Sequence, residues 1–190
     1  MEIVSKEEFL SKKNFFLEEM KRGKIFVYPT DTIYGIGCDA SNSESVDMIR
    51  KIKKRDERPF SVIVPGVDWV RKNCFVSEKV ESWLKKFPGP YTLILELKNW
   101  EAVTKEVNSG ADALGIRIPD HWFSGIISEL GSPFITTSVN LSGGETMRFM
   151  DDISEEIKSE IDYIIDEGLI SRRPSTIVNL VRNKEVIKER

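Results

Sequence analysis

Cysteine and histidine are scarce in this 190-residue chain: Cys38 and Cys74 stand far apart with no CxxC spacing, and His121 is the lone histidine. That scarcity argues against a disulfide framework or a zinc site, rules out a metal centre built on several histidines, and fits a reducing compartment. It leaves a Ser–His–Asp relay only His121, which follows Pro119-Asp120 and reads as a residue at a helix start. No apolar run approaches membrane-spanning length, and the charged N-terminus is not a signal peptide, so the expected location is cytoplasmic. Positive charge is not in excess either. The 28 Lys and Arg against 31 Asp and Glu give a net charge of -3, so any polyanion must be handled locally. Walker A, Rossmann GxGxxG and GxSxG patterns are all missing. With no covalent nucleophile indicated, the inventory favours positioning plus electrostatic stabilisation of an anionic transition state.

What is present describes an ordinary globular chain, with 40% hydrophobic and 31% charged residues. Residues 1–190 are expected to form one domain with a sizeable core. The stretch that organises it is Tyr28-Pro29-Thr30-Asp31-Thr32-Ile33-Tyr34-Gly35-Ile36-Gly37. The apolar run Ile25-Phe26-Val27 leads in as a buried strand, and Pro29 ends it by removing a ladder donor. The hydroxyls, carboxylate and glycines that follow suit a ligand loop at a strand end, and equally a turn between strand and helix.

Ser5-Lys6-Glu7-Glu8 has the form of a capping box, predicting a first helix with Phe9, Leu10, Phe16, Leu17 and Met20 inward and Gly23 at its end. A second helix capped by Asn42 or Ser43 is predicted to run to about Lys54 with Val46, Ile49 and Ile52 inward. Phe60–Val64, Tyr91–Leu97, Leu114–Ile118, Phe134–Thr137, Tyr163–Ile165, Thr176–Val178 and Val186–Ile187 read as strands. Between them, helices are predicted after Ser77, after Asp120 as a cap (ending at Gly131), and over Ile153–Ile157. Strands alternating irregularly with helices predict a mixed α/β sheet.

Four polar clusters close these apolar elements. Beyond the Thr30–Gly37 loop, the run Lys53-Lys54-Arg55-Asp56-Glu57-Arg58-Pro59 reads as a solvated helix end or as a phosphate-binding cluster. Arg117, alternating with Leu114 and Ile116, must face solvent or a polar cleft. In Ser138-Val139-Asn140-Leu141-Ser142-Gly143-Gly144, the polar positions can project to one side or serve local turns. Ser175-Thr176, before a strand, is a weaker member of the set.

Taken together and in order, these pieces resemble the Sua5/YrdC/YciO family, the threonylcarbamoyl-AMP synthases. The resemblance rests on Pro29-Thr30-Asp31-Thr32-Ile33-Tyr34-Gly35, Lys53-x-Arg55 with Pro59, Pro88-Gly89-Pro90-Tyr91-Thr92, Arg117-x-Pro119-Asp120-His121, Ser138-x-Asn140-x-Ser142-Gly143 and Ser175-Thr176-Ile177-Val178, collinear from about residue 25 to 180. It implies an α/β (α+β) fold: a twisted mixed β-sheet flanked by helices, with a large concave cleft. It also implies nucleotidyl transfer, in which L-threonine, bicarbonate and ATP yield threonylcarbamoyl-AMP and pyrophosphate. A tRNA-modifying transferase machinery then passes the threonylcarbamoyl group to adenosine 37 of tRNA. The length is like that of the short members with a single domain.

By this resemblance Lys53 and Arg55 are catalytic and bind ATP with Arg58, Asn140, Ser142, Ser175 and Thr176. Thr30, Thr32, Arg117 and Ser138 hold L-threonine, with Arg117 on its carboxylate. Mg²⁺ accompanies ATP, and no dedicated protein metal site is expected. The spacer from Arg55 to Pro59 and the segment Asp166–Pro174 are shorter than the family's usual form, and Arg190 stands near a late nucleotide-contacting position. Two other readings attach to the same resemblance: a module binding double-stranded RNA or the ribosome, and a carbamoyl-adenylate enzyme like the domain in hydrogenase-maturation proteins. The net charge argues against the first, and the lack of accompanying domains against the second.

Overall fold

The computed structural model describes residues 1–55, 57–141 and 147–189. Ser142, Gly143, Gly144 and Arg190, singled out above, lie outside these residues. The strands are β1 (Glu2–Ser5), β2 (Phe26–Tyr28), β3 (Gly35–Gly37), β4 (Ser61–Ile63), β5 (Tyr91–Glu96), β6 (Ala113–Arg117), β7 (Phe134–Ser138), β8 (Tyr163–Asp166), β9 (Thr176–Asn179) and β10 (Val186–Lys188). The helices are α1 (Lys6–Ser11), α2 (Lys13–Lys21), α3 (Ser43–Ile52), α4 (Val67–Asn73), α5 (Glu78–Leu84), α6 (Lys105–Asn108), α7 (Phe123–Leu130) and α8 (Glu155–Lys158). Among the described residues the strands join in the order β1-β8-β2-β3-β7-β4-β6-β5-β9-β10. Pairs β1–β8, β8–β2, β4–β6 and β5–β9 are parallel and the others antiparallel, so the sheet is mixed as expected.

Strand alternation divides the core between the sheet's two faces. Val27, Ile36, Val62, Leu93, Leu95, Leu114, Ile116, Ile135 and Val178 share one cluster with inward residues of α3, α4 and α5. Phe26, Tyr28, Phe134, Tyr163 and Ile165 form the other with Phe9, Phe16, Met20 and the α7 residues Phe123, Ile126 and Ile127. Phe26 stacks on Tyr163 at 4.9 Å and Tyr28 on Phe123 at 4.3 Å. Aromatic packing thus anchors the helices over the β1, β8, β2 end of that face.

Topology then requires curvature. From β8 to β9 there are seven strand-to-strand steps, about 34 Å across a flat sheet. The connection from Asp166 to Thr176 advances ten residues and reaches at most about 33–36 Å if straight. It is not straight, because it turns at Gly168 (φ +75°). The sheet must therefore curl, and its uncovered surface becomes concave.

Several sequence expectations need correction. The first helix is interrupted at Lys12 (φ −109°, ψ 23°) into α1 and α2; Ser5 does cap α1, but Leu10 is left 44% exposed. The organising stretch is not a strand-to-helix turn: Gly35–Gly37 is a strand paired antiparallel with β2. Glycine has poor β-propensity, which hid it. It is needed there because a Cβ on Gly37 would run into the Ile135 carbonyl oxygen. Asp120 does not cap α7, which starts at Phe123 without a side-chain cap. β1, α4 and α6 were not anticipated. Asn42 and Ser77 cap α3 and α5 as expected.

Replacing Gly37 with Ala is expected to destabilise the protein by about 2–3 kcal/mol in urea unfolding, since backbone on β7 must move to admit one methyl. A loss under about 0.5 kcal/mol would show that β3 and β7 are not held this closely.

Candidate functional site

On the curled face, strands that are aliphatic on one side become small or hydroxylated on the other. Ile94, Gly115, Ser61 and Thr136 align in one rung across β5, β6, β4 and β7. Thr92, Ala113, Arg117, Ser138, Gly35 and Ile177 lie on the same side in neighbouring rungs. These residues floor a cavity of about 370 Å³, walled also by Tyr34, Arg55, Phe60 and Ser175. That is the size of a small-molecule site. Arg117, Thr92 and Ser175 make one end polar. Ala111, Ala113, Pro59 and Phe60 make another flank largely apolar, with the Arg55 guanidinium 5.0 Å from the Phe60 ring centre.

Arg117 is only 6% exposed, so its charge needs a partner. It donates from Nη2 to Asp31 Oδ1 at 2.9 Å and to Thr32 Oγ1 at 3.0 Å. The other Asp31 oxygen accepts from the Asp120 backbone N–H at 3.0 Å, which is the position Asp120 takes instead of capping α7. Thr30 and Thr32 have different surroundings. The Thr30 hydroxyl donates to the Ile33 carbonyl and accepts from the Thr32 N–H, closing the turn, and Thr30 does not line the cavity. Thr32 lies 3.0 Å from Thr30 through its hydroxyl, so its proton points there and a lone pair faces Arg117.

The second cationic group is split by burial. Lys53, 2% exposed at the end of α3, donates to the Ser138 and Asn140 carbonyls and to Asn140 Oδ1. Ser138 Oγ donates to the same Asn140 oxygen at 2.6 Å. Lys53 and Asn140 thus stand behind Ser138 and fix the end of β7, while Ser138 itself lines the cavity. Burial, with help from the Arg55 charge, pulls the Lys53 ammonium down to about 7. Arg55 lines the cavity and donates to the Arg58 and Pro59 carbonyls. Arg58 is exposed and outside the cavity lining, so the Lys53–Pro59 run mixes a solvated turn with site cations. Ser175 shares a 2.7 Å hydroxyl contact with Thr92, and Thr176 borders a separate shallow hollow with Thr32.

Sequence reasoning missed three contributors. Asp31 stood in the organising stretch, but only the fold shows that it holds Arg117. Thr92 sat in an ordinary strand, where only the uncovered face marks it. Tyr34 anchors the connection after β8, accepting from the Glu167 N–H and donating to the Gly168 carbonyl, and burial pushes its phenol up to about 12. His121, at the approach to α7, meets Glu167 at 2.9 Å, and burial lowers its pKa below the usual histidine range.

Curved mixed sheet, uncovered hydroxyl-rich floor and paired cationic ends define a ligand-binding α/β domain, and the comparisons specify which. The family model for Sua5, YciO and YrdC, described as "Telomere recombination", matches residues 18–189. The chain belongs to the Sua5/YciO/YrdC family. A Methanocaldococcus jannaschii protein, provisionally named a threonylcarbamoyl-AMP synthase, is 36% identical over 187 residues, covering 95% of this chain and 86% of that protein. The Mus musculus threonylcarbamoyl-AMP synthase is 33% identical over 171 residues, covering 85% of this chain and 60% of its own. A crystal structure of P. abyssi Sua5 complexed with L-threonine superposes with a TM-score of 0.83 at 26% identity, over 94% of this chain and 53% of that one. The chain therefore spans little more than half of the mouse and P. abyssi proteins.

Asp31→Ala, which takes a carboxylate away from a buried guanidinium, is expected to lower unfolding free energy by about 3–5 kcal/mol. Asp31→Asn keeps an acceptor and should lose distinctly less. Equal, small losses in urea titrations of both variants would mean that Asp31 does not hold Arg117.

Proposed function

We propose that residues 1–190 act as one domain that makes threonylcarbamoyl-AMP and pyrophosphate from L-threonine, bicarbonate and ATP. The observation that carries this reading is one cavity with Arg55 on its wall, Arg117 on its floor and hydroxyls between them. Family membership, and the names of relatives covering most of this chain, support the same reading.

Two anionic reactants must meet, so cations have to offset their repulsion before geometry can help. Arg117, oriented by Asp31 and Thr32, would fork onto the threonine carboxylate, with Ser138 as a neighbouring hydroxyl. Thr30 would act indirectly by shaping the turn that presents Thr32. The threonine amine and bicarbonate give a carbamate with loss of water. A carbamate oxygen then attacks the α-phosphorus, and the bond to the bridging oxygen of pyrophosphate breaks. Arg55 would neutralise charge on the phosphates, with Arg58 assisting from outside the cavity lining. Lys53 and Asn140 would hold Ser138 against them; the expected contact of Ser142 lies outside the described residues. Ser175 would complete the nucleotide contacts from the cavity wall, and Thr176, which borders the separate hollow, would act only indirectly. Mg²⁺ would arrive with ATP as part of the substrate. The product would pass to tRNA-modifying transferase machinery. Among the described residues no helix is long and apolar enough to cross a membrane.

Pyrophosphate release from ATP should require both L-threonine and bicarbonate. Arg55→Ala should cut it by about 10²–10³-fold with little change in melting temperature, because its lost role is electrostatic. Lys53→Ala should lower both, since three buried hydrogen bonds go with it. Release that ignores threonine, or RNA binding without turnover, would contradict this reading.

Lys53 gives a second test. With its pKa near 7, the amine is mostly neutral at about pH 8, and phosphates held by Arg55 on the cavity side of Ser138 should raise that pKa through their charge. ATP binding at about pH 8 is then expected to take up a measurable fraction of a proton, and less at about pH 6, where Lys53 is already mostly charged. Calorimetry in buffers of different ionisation enthalpy measures this. No uptake at the higher pH, or the same uptake in Lys53→Met, would sink the assignment.

A further inference from the structure

Beside the main cavity lies a second hollow of about 340 Å³, bordered by Asp31, Thr32, Asp120, Arg172, Arg173 and Thr176. The two spaces share a partition. Thr32 borders the second and is bonded to Arg117, which floors the first, while Ser175 and Thr176 face the two sides in succession.

The charges around this hollow do not cancel. Asp31 is neutralised by Arg117, and both its carboxylate oxygens are engaged. Arg172 and Arg173 are exposed, and among the described residues neither forms an ion pair; Arg172 makes one long contact of 3.4 Å to the Asp31 carbonyl. Asp120 is the one opposing charge on the lining, which leaves an excess of one positive charge.

Two neighbouring guanidiniums on a loose loop would separate into solvent. Here the backbone that carries them is tied at intervals. Glu167 accepts from Trp122 and pairs with His121 and Lys6. The Ile170 N–H donates to the Arg148 carbonyl at 2.9 Å, and the Thr176 N–H to the Pro90 carbonyl at 3.0 Å. Much of the ordering cost of presenting both arginines over one hollow is therefore already met by the fold.

We propose that this hollow is an anion-binding site for a phosphoryl oxyanion of the pyrophosphate class, held by Arg172 and Arg173 with the Thr176 hydroxyl as an added donor. Guanidinium forks match the spacing of phosphate oxygens. The ligand should be multiply charged, because Asp120 largely offsets the pull on a monovalent one. The site is distinct from the one flanked by Arg55, and its occupancy is read without turnover, so it stands apart from the proposed reaction.

The test is calorimetric titration of the full chain with inorganic pyrophosphate at fixed ionic strength. One equivalent should persist in Arg55→Ala, weaken at least tenfold in the double variant Arg172→Ala, Arg173→Ala, and be partly restored in Arg172→Lys, Arg173→Lys. Arg173→Glu, a single exposed substitution that leaves the backbone ties of the β8–β9 connection in place, should abolish it. Unchanged binding in the double alanine variant or in Arg173→Glu, or loss of that same equivalent in Arg55→Ala, would overturn the proposal.

Discussion

A guanidinium sunk into a sheet has to find a carboxylate, and much of this structure can be traced to that need. Arg117 is on β6, Asp31 on the connection between β2 and β3, and Asp120 just after β6. Their hydrogen bonds bring two stretches far apart in sequence to one point, each bond worth more in the buried setting than at a surface. Losing either partner weakens what holds a buried charge, so the pair ties the organising loop as well as Arg117. The curled sheet makes the arrangement possible. The short link from β8 to β9 demands curvature, curvature makes one face concave, and the residues on that face are too small to fill it.

Polar groups in this site are mostly engaged with one another before any ligand arrives. Lys53 grips Ser138 and Asn140, Thr92 meets Ser175, and Tyr34 fixes the start of the crossing connection. Such pre-ordering is what catalysis by positioning requires, because groups already oriented need not reorganise when charge develops. It also explains why the Lys53–Pro59 run behaves as two things. Lys53 is structural glue behind the cavity and Arg55 is a cation on its wall, although they are two residues apart.

Most of the sheet was legible because β-branched and aromatic runs bounded by proline or glycine declare strands directly. β3 was not, since its three residues Gly-Ile-Gly carry almost no strand signal and are selected by close approach to β7. The break at Lys12 was also hidden, because apolar spacing continues across it. In the site, Arg117 announced itself as a charge alternating with aliphatic residues, and Arg55, Ser138 and Ser175 meet it around one cavity. Asp31 as its partner, Thr30 as a turn residue and Lys53 as a buried support depend on contacts between distant segments, which no local pattern encodes. Arg172 and Arg173 were passed over for the same reason: two exposed arginines in a loop look like solvated charge until the hollow beneath them is seen.

The central claim is that a nucleotide and an amino acid meet in the space between Arg55 and Arg117. A crystal structure of the protein with L-threonine and a non-hydrolysable ATP analogue tests it most directly. The account predicts phosphate oxygens beside Arg55 and the threonine carboxylate within hydrogen-bonding distance of Arg117. Both ligands bound outside this cavity, or a threonine carboxylate turned away from Arg117, would contradict it.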